Sequence, residues 1–416
     1  MRSARSFWAL FLRWFFAHFF QLLLVAISIS QWVVLWWFFG STRTSVLVHF
    51  IGMTLAYGLN RQLVVRTRQH GLKRHGIIRL PRLYYAVAFT SLFCALFLFL
   101  DAAAWAATRI FLGALTVEAS GAGAALATAS PIDTVFRWLG HAGTGAIMCA
   151  FAYGYSLGQQ RLKINQIKLP LHQFGTGLDG LRIAQISDIH IGQNLVHAEL
   201  ERFTTELNAL QPDLICITGD IADSNTADLD AFLPILAKLQ ATYGVFAILG
   251  NHDHYAGAER VVAALQRHTP FTILRDQVAS IDVRGQRLHV IGVDDRGRDW
   301  ARGAIDVPEL LQILDGLPAE EPKILLSHRP DVFPQAAGRG VALTLSGHTH
   351  GGQLAMPWFN GRYRNLAEFI TPFDRGLYER DGRFLYVNCG LGVTGQRIRL
   401  CTPREISIVE AAASPP

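Results

Sequence analysis

Four apolar stretches precede residue 160, and their length constrains the architecture of this chain more than any other feature. A helix needs about 20 mostly apolar residues to cross the hydrocarbon core of a bilayer. Residues 15–39, 44–60, 83–100 and 138–157 reach or approach that length, the second being the shortest and interrupted by His49. The chain of 416 residues is therefore expected to place an all-α bundle of about four transmembrane helices in residues 1–160 and a unit of different character behind it. Half of the residues are hydrophobic and only 17% are charged, which fits a chain partly immersed in lipid. The first stretch is longer than the core of a cleaved signal peptide and lacks a small-residue cleavage site.

A net charge of +6 could point to nucleic acid, but Lys and Arg flank the apolar stretches instead of alternating with aromatics on one face. The expected partner is the lipid bilayer, with neither nucleic acid nor another protein. Positively charged flanks resist translocation. Arg2, Arg5 and Arg13 precede the first stretch, seven basic residues from Arg61 to Arg82 separate the second from the third, and Arg161, Lys163 and Lys168 follow the fourth. The alternate connections hold only Arg43, Arg109 and Arg137, so the C-terminal part is expected to face the cytoplasm. Residues 102–131, rich in Ala and Gly, read as a loop on the opposite surface. His18, His49 and His141 read as neutral packing groups, because no acidic partners recur at matching spacing. Five cysteines are too few for a disulfide framework; Cys94, Cys149 and Cys216 lie in apolar runs as buried thiols.

Residues 161–180 read as a linker and first strand, and residues 181–416 as an α/β domain. Short β-branched runs at 181–187, 213–218, 245–249, 323–327 and 341–346 have apolar residues on successive positions, the mark of strands covered on both faces. Each run ends in residues that bind metals. Asp188 and His190 follow the first, Asp220 the second, Asn251, His252 and Asp253 the third, His328 the fourth, and His348 and His350 the fifth. The carboxyl ends of such strands form the ligand crevice of an open sheet, so these side chains are expected to converge.

The order DxH, GD, GNHD, H, GHTH resembles the calcineurin-like metallophosphoesterase superfamily, and the closing Gly347 to Gln353 is similar to its bacterial membrane-associated branch. That resemblance implies a four-layer α/β/β/α sandwich and attachment to a bacterial inner membrane. It also implies two divalent ions, one held by Asp188, His190, Asp220 and His350, the other by Asp220, Asn251, His328 and His348. A set of carboxylates, an amide and imidazoles without thiolate suits Mn²⁺ first, with Fe or Zn²⁺ as alternatives. The implied reaction is hydrolysis of a phosphoester or pyrophosphate, possible on a lipid-linked substrate, by a hydroxide held between the ions. His252 is then the general acid, with Asp253 either orienting its imidazole or serving as a fold-stabilising cap. The alternative is a non-catalytic or sensory membrane scaffold on the same domain, for which gaps in the ligand set are expected; the set is complete. Outside this set, Asp223 reads as a turn or cap residue, His254 as a loop histidine, and Arg329 and Arg397 as surface ion-pair partners.

Overall fold

The computed structural model describes residues 2–40, 45–70, 79–120, 129–171, 174–295 and 307–413. Contacts divide the chain into residues 1–152 and 153–416. Among the described residues the first unit holds four helices, α1 (Arg2–Phe39), α2 (Val46–His70), α3 (Arg79–Ser120) and α4 (Ala129–Tyr155). Each predicted apolar stretch overlaps one of them. Among the described residues, two segments are long and apolar enough to cross a membrane, Gln21–Phe39 of α1 and Arg82–Leu112 of α3. The loop expected at 102–131 is not found: α3 continues to Ser120, because Asp101 to Ala107 is a run of strong helix formers, and residues 121–128 lie outside the described set.

Some polar groups in this unit are satisfied between helices. Asn60 of α2 is buried, donates to Ser28 Oγ at 2.8 Å and Gln31 Oε1 at 3.0 Å on α1, and accepts from Tyr84 on α3. His49 Nδ1 accepts from Trp32 Nε1 at 3.1 Å, a neutral packing role.

The first strand of the second unit is β1 (Leu162–Leu171), within the residues 161–180 where a linker and first strand were expected. The chain then alternates through β2 (Arg182–Ile186), α5 (His197–Ala209), β3 (Leu214–Thr218), α6 (Leu229–Leu236), β4 (Val245–Ile248), α7 (Asn251–Ala256), α8 (Ala258–His268) and β5 (Thr272–Ile273). A second sheet follows from β6 (Gln277–Val283), β7 (Gln286–Gly292), α9 (Pro308–Asp315), β8 (Lys323–Leu326), α10 (Phe333–Gly338) and β9 (Leu343–Ser346). A separate two-stranded ribbon, β10 (Ala355–Pro357) and β11 (Tyr363–Asn365), comes before β12 (Gly376–Arg380), β13 (Arg383–Val387) and β14 (Arg404–Ala413).

The sheets have the orders β1-β14-β2-β3-β4-β5 and β12-β13-β9-β8-β7-β6. The run β2 to β5 is parallel, as is the run β13-β9-β8-β7, so their carboxyl ends share a direction within each sheet. β14 is inserted between β1 and β2, parallel to the first and antiparallel to the second.

Alternation along the strands builds three cores. Ile183, Cys216, Phe246, Ile248, Ile324, Leu326, Leu343 and Leu345 meet between the sheets. The opposite face of the first sheet, with Ala184, Ile186, Ile215 and Ile217, packs on Leu200, Phe203 and Leu207 of α5 and on Leu229 and Leu233 of α6. The opposite face of the second, with Ile291 and Leu325, packs on Leu310 and Leu314 of α9 and Ala336 of α10. Burying each Leu, Ile or Phe contributes roughly 1.5–3 kcal/mol. Both faces of both sheets are thus covered, in four layers, and the strand ends remain for polar chemistry.

Candidate metal centre

Asp188 and His190 follow β2, Asp220 follows β3, Asn251 opens α7 after β4, His328 follows β8, and His348 and His350 follow β9. Three of these strands belong to the first sheet and two to the second. Asp188, His190, Asp220, Asn251, His328 and His350 are all buried, and His348 is partly so. Asp188, His190, Asp220, His348 and His350 have φ of 49°, 48°, 52°, 71° and 51°. A left-handed backbone at a residue with a Cβ costs of order 1–3 kcal/mol and persists where the surroundings over-determine it. Here the N–H groups of Asp188 and His190 donate to the carbonyls of Gly219 and Asp220, each at 3.0 Å, and Gly392 donates to the Asp188 carbonyl at 2.6 Å.

These turns bring the side chains together. His190 Nε2 lies 3.0 Å from His350 Nε2 and 3.6 Å from Asp220 Oδ2. His350 Nε2 lies 3.3 Å from Asp188 Oδ1, and His328 Nε2 lies 3.2 Å from Asp220 Oδ2 and 3.3 Å from His348 Nδ1. The donor atoms of Asp188, His190 and His350 fall within 4.8 Å of one another, as do those of Asp188, Asp220 and His328. Asp188 also accepts the His348 backbone N–H at 3.0 Å, tying the two sheets across the site. A Cβ on Gly250 would overlap Asp220 Oδ1, so glycine is required where the chain passes this carboxylate.

The electrostatics demand positive charge. Burial pushes Asp188 above the usual carboxylate range, although the His328 imidazole opposes it. Burial would also raise Asp220, but His328 and His190 reverse that and hold it well below the range. Burial opposes protonation of His328, yet Asp220 dominates and pushes it up to about 10. His348 is pulled down to about 3 by burial and by His328, and His350 falls by burial and by His190. His348 and His350 are thus neutral, the form in which imidazoles bind metals.

The residues present fit two divalent cations. Nε2 of His190 and His350 converge on one point, which a proton or a cation must occupy, and the buried Asn251 Oδ1 has no hydrogen-bond partner among the described residues. A buried amide oxygen left unpaired costs about 1–3 kcal/mol unless a ligand takes it.

Around the cluster, one assignment needs correction. Asp253, one of whose expected roles was to orient His252, serves as a cap instead: its carboxylate accepts three backbone N–H groups, from Ala222 at 2.7 Å, Gly250 at 2.9 Å and Ile221 at 3.2 Å. It pins the turns after β3 and β4. The His252 ring is held by Asp223, whose carbonyl lies 2.9 Å and whose carboxylate lies 3.6 Å from Nδ1. Burial lowers His252, but the hydrogen bond to Asp223 wins and pushes it up to about 9. Asp223 also reaches His190 Nδ1 at 3.6 Å and so joins the site; its place four residues beyond Gly219 was the only sequence signal. His254 pairs with Asp294 at 2.7 Å and Arg397 with Glu199 at 2.8 Å, both outside the cluster. Arg329 is buried, donates to Asp295 Oδ2 at 2.7 Å, and lines with His348, Leu366 and Ile370 a cleft of about 190 Å³.

The loop 389–392 braces the centre from behind. Buried Arg399 donates to the carbonyls of Cys389 at 2.9 Å, Gly390 at 3.0 Å and Gly392 at 2.5 Å, while Leu391 N–H donates to the Ser187 carbonyl at 2.9 Å.

The sequence matches the family description Calcineurin-like phosphoesterase over residues 181–352. It is 35% identical over 233 residues to an uncharacterized metallophosphoesterase of Campylobacter jejuni, covering 55% of this chain and 58% of that one. The metallophosphoesterase YkuE of Bacillus subtilis is 30% identical over 274 residues, covering 64% of this chain and 91% of its own. The UDP-2,3-diacylglucosamine pyrophosphatase LpxG of Chlamydia trachomatis is 26% identical over 311 residues, covering 61% and 90%.

Proposed function

Because the chain belongs to the calcineurin-like phosphoesterase family, we propose that it hydrolyses a phosphoester or pyrophosphate bond with two divalent cations held among Asp188, His190, Asp220, Asn251, His328, His348 and His350. The observation that carries this reading is the buried convergence of these side chains at the ends of five strands from two sheets. Bound there, the cations supply Lewis acidity that activates water and draws charge from the phosphoryl oxygens. Manganese fits the donor set first, with iron or zinc as alternatives.

The protein's own groups do the rest. Asp220 reaches imidazoles in both halves of the set, so it is the residue that would be shared by the two cations. His252 has Nδ1 engaged by Asp223, which leaves Nε2 to protonate the leaving oxygen. Arg329, anchored by Asp295 beside His348, is placed to hold a phosphoryl oxygen.

The substrate we propose is amphiphilic, with a phosphorylated head and an apolar tail. Leu366, Ala367 and Ile370 in the wall of the cleft support this, as do the apolar helices and a relative named for cleaving UDP-2,3-diacylglucosamine. The chain is placed in a bacterial inner membrane with its second unit in the cytoplasm. Two spans or four both return that unit to the side of the N-terminal arginines, and the basic residues from Arg61 to Arg82 favour four. The test is incubation of the purified full chain with Mn²⁺ and either a total lipid extract or a soluble aryl phosphodiester. Disappearance of one phosphorylated lipid is expected. Turnover of the soluble ester alone overturns the lipid substrate, and turnover of neither overturns the hydrolase.

A further inference from the structure

The β10–β11 ribbon belongs to neither main sheet, and it carries apolar side chains outward. Its base is fixed: Ala355 N–H donates to the Leu400 carbonyl at 2.9 Å, Asn365 Nδ2 to Asp374 Oδ2 at 2.6 Å, and Asn365 and Glu368 cap each other's backbone. Beyond the base, Trp358 is 53% exposed, Phe359 77% and Phe369 87%, and Met356, Leu366 and Ile370 are exposed beside them. Scattered apolar residues on a surface need no account, but a contiguous patch of this kind marks a binding surface.

Charge identifies the partner. Against the ribbon lies a cavity of about 1030 Å³ whose wall includes Arg161, Lys163, Arg362, Arg364 and Arg375. With Arg399 it has six basic side chains against three acidic ones, Glu368 paired with Arg364 at 2.9 Å, Asp374 3.7 Å from Arg375, and Glu405. A basic excess therefore faces outward next to aromatic and aliphatic tips. Trp, Tyr and Phe interleaved with Arg is the composition of segments that lie at a membrane interface, where rings sit at headgroup level and guanidinium groups meet lipid phosphates.

We propose that residues 354–370 form a membrane-docking prong, with Trp358, Phe359 and Phe369 entering the acyl boundary and Arg362 and its basic neighbours binding anionic phospholipid headgroups. Leu366 and Ile370 turn from this prong into the wall of the cleft that reaches His348. A tail drawn from the bilayer along them keeps apolar contact on its way to the metal centre. The inference rests on the membrane attachment proposed above, and not on hydrolysis.

The test uses the full chain in phosphatidylcholine vesicles with or without phosphatidylglycerol. A photo-cross-linking residue is placed at Phe359, at Phe369 or, as reference, at exposed Glu206 on α5. Lipid adducts are expected at the first two positions well above the third, and phosphatidylglycerol should increase them. Arg362→Gln should cut that increase about fivefold, since a basic residue near an anionic surface contributes roughly 1 kcal/mol. Equal lipid adducts at all three positions, or adducts at Phe359 and Phe369 to protein alone, overturn the proposal. Bound metal measured on each variant checks that the domain is folded, and no turnover enters the readout.

Discussion

At the scale of single residues, the Asp220 carboxylate serves His190, His328 and the backbone N–H of His252 at once, the last at 2.8 Å. Asp220→Ala should therefore lose both bound metal and essentially all hydrolysis, and elemental analysis beside turnover checks it; near-normal turnover in a folded variant contradicts the two-cation reading. His252 makes a different demand, because its ring is a proton donor and not a ligand in this reading. His252→Ala should keep its metal and lose about 10²- to 10⁴-fold in rate on esters with poor leaving groups, the usual worth of general acid catalysis. An activated aryl ester should suffer less; equal losses on both count against the acid role. Asp253→Ala should act on stability instead, leaving three buried N–H groups unpaired at roughly 1–3 kcal/mol each. A large fall in melting temperature with weakened metal binding is expected, and an unchanged melting temperature sinks the pinning role. The seven candidate ligand residues were legible in the sequence because each sits at the end of an apolar run. Asp223 was not legible in its role and Asp253 was open between two, since which carboxylate meets the imidazole depends on how the turns after β3 and β4 cross in space.

At the scale of elements, the strands that carry ligands were readable because each is apolar on both faces, and β2, β3, β4, β8 and β9 lie within the runs marked by that signal. One element was misread. The Ala-rich part of α3 has low side-chain hydropathy but high helix propensity, so composition suggested a loop where the backbone favours helix. β1 was expected within residues 161–180, but its neighbour was not legible, because its ten pairings with β14 come from residues more than two hundred positions away. A chain starting at Lys168 therefore lacks Leu162 to Ile167 and uncovers that length of β14. It should melt clearly below one starting at Gly158, by thermal unfolding followed with circular dichroism; equal melting temperatures place β1 outside the cooperative unit.

At the scale of the whole molecule, reporter fusions separate the topologies that charge alone leaves open. A reporter after Gln160 should be cytoplasmic with two spans or four, whereas one within residues 121–130 should be external with four and cytoplasmic with two. An external signal at Gln160 removes the cytoplasmic assignment altogether. The place of β14 has a further consequence, in time. This strand fills the position between β1 and β2, and Arg399 just before it holds the loop that supports the Asp188 turn. A ribosome delivers the apolar helices first and the residues of β2, β3 and β4 next, but the gap in their sheet stays open until residues 404–413 have emerged. Pairings of such long sequence separation close slowly. The turn that carries Asp188 therefore gains the support of β14 and Arg399 only after residues 404–413 have emerged, later than the strands that carry the other candidate ligands.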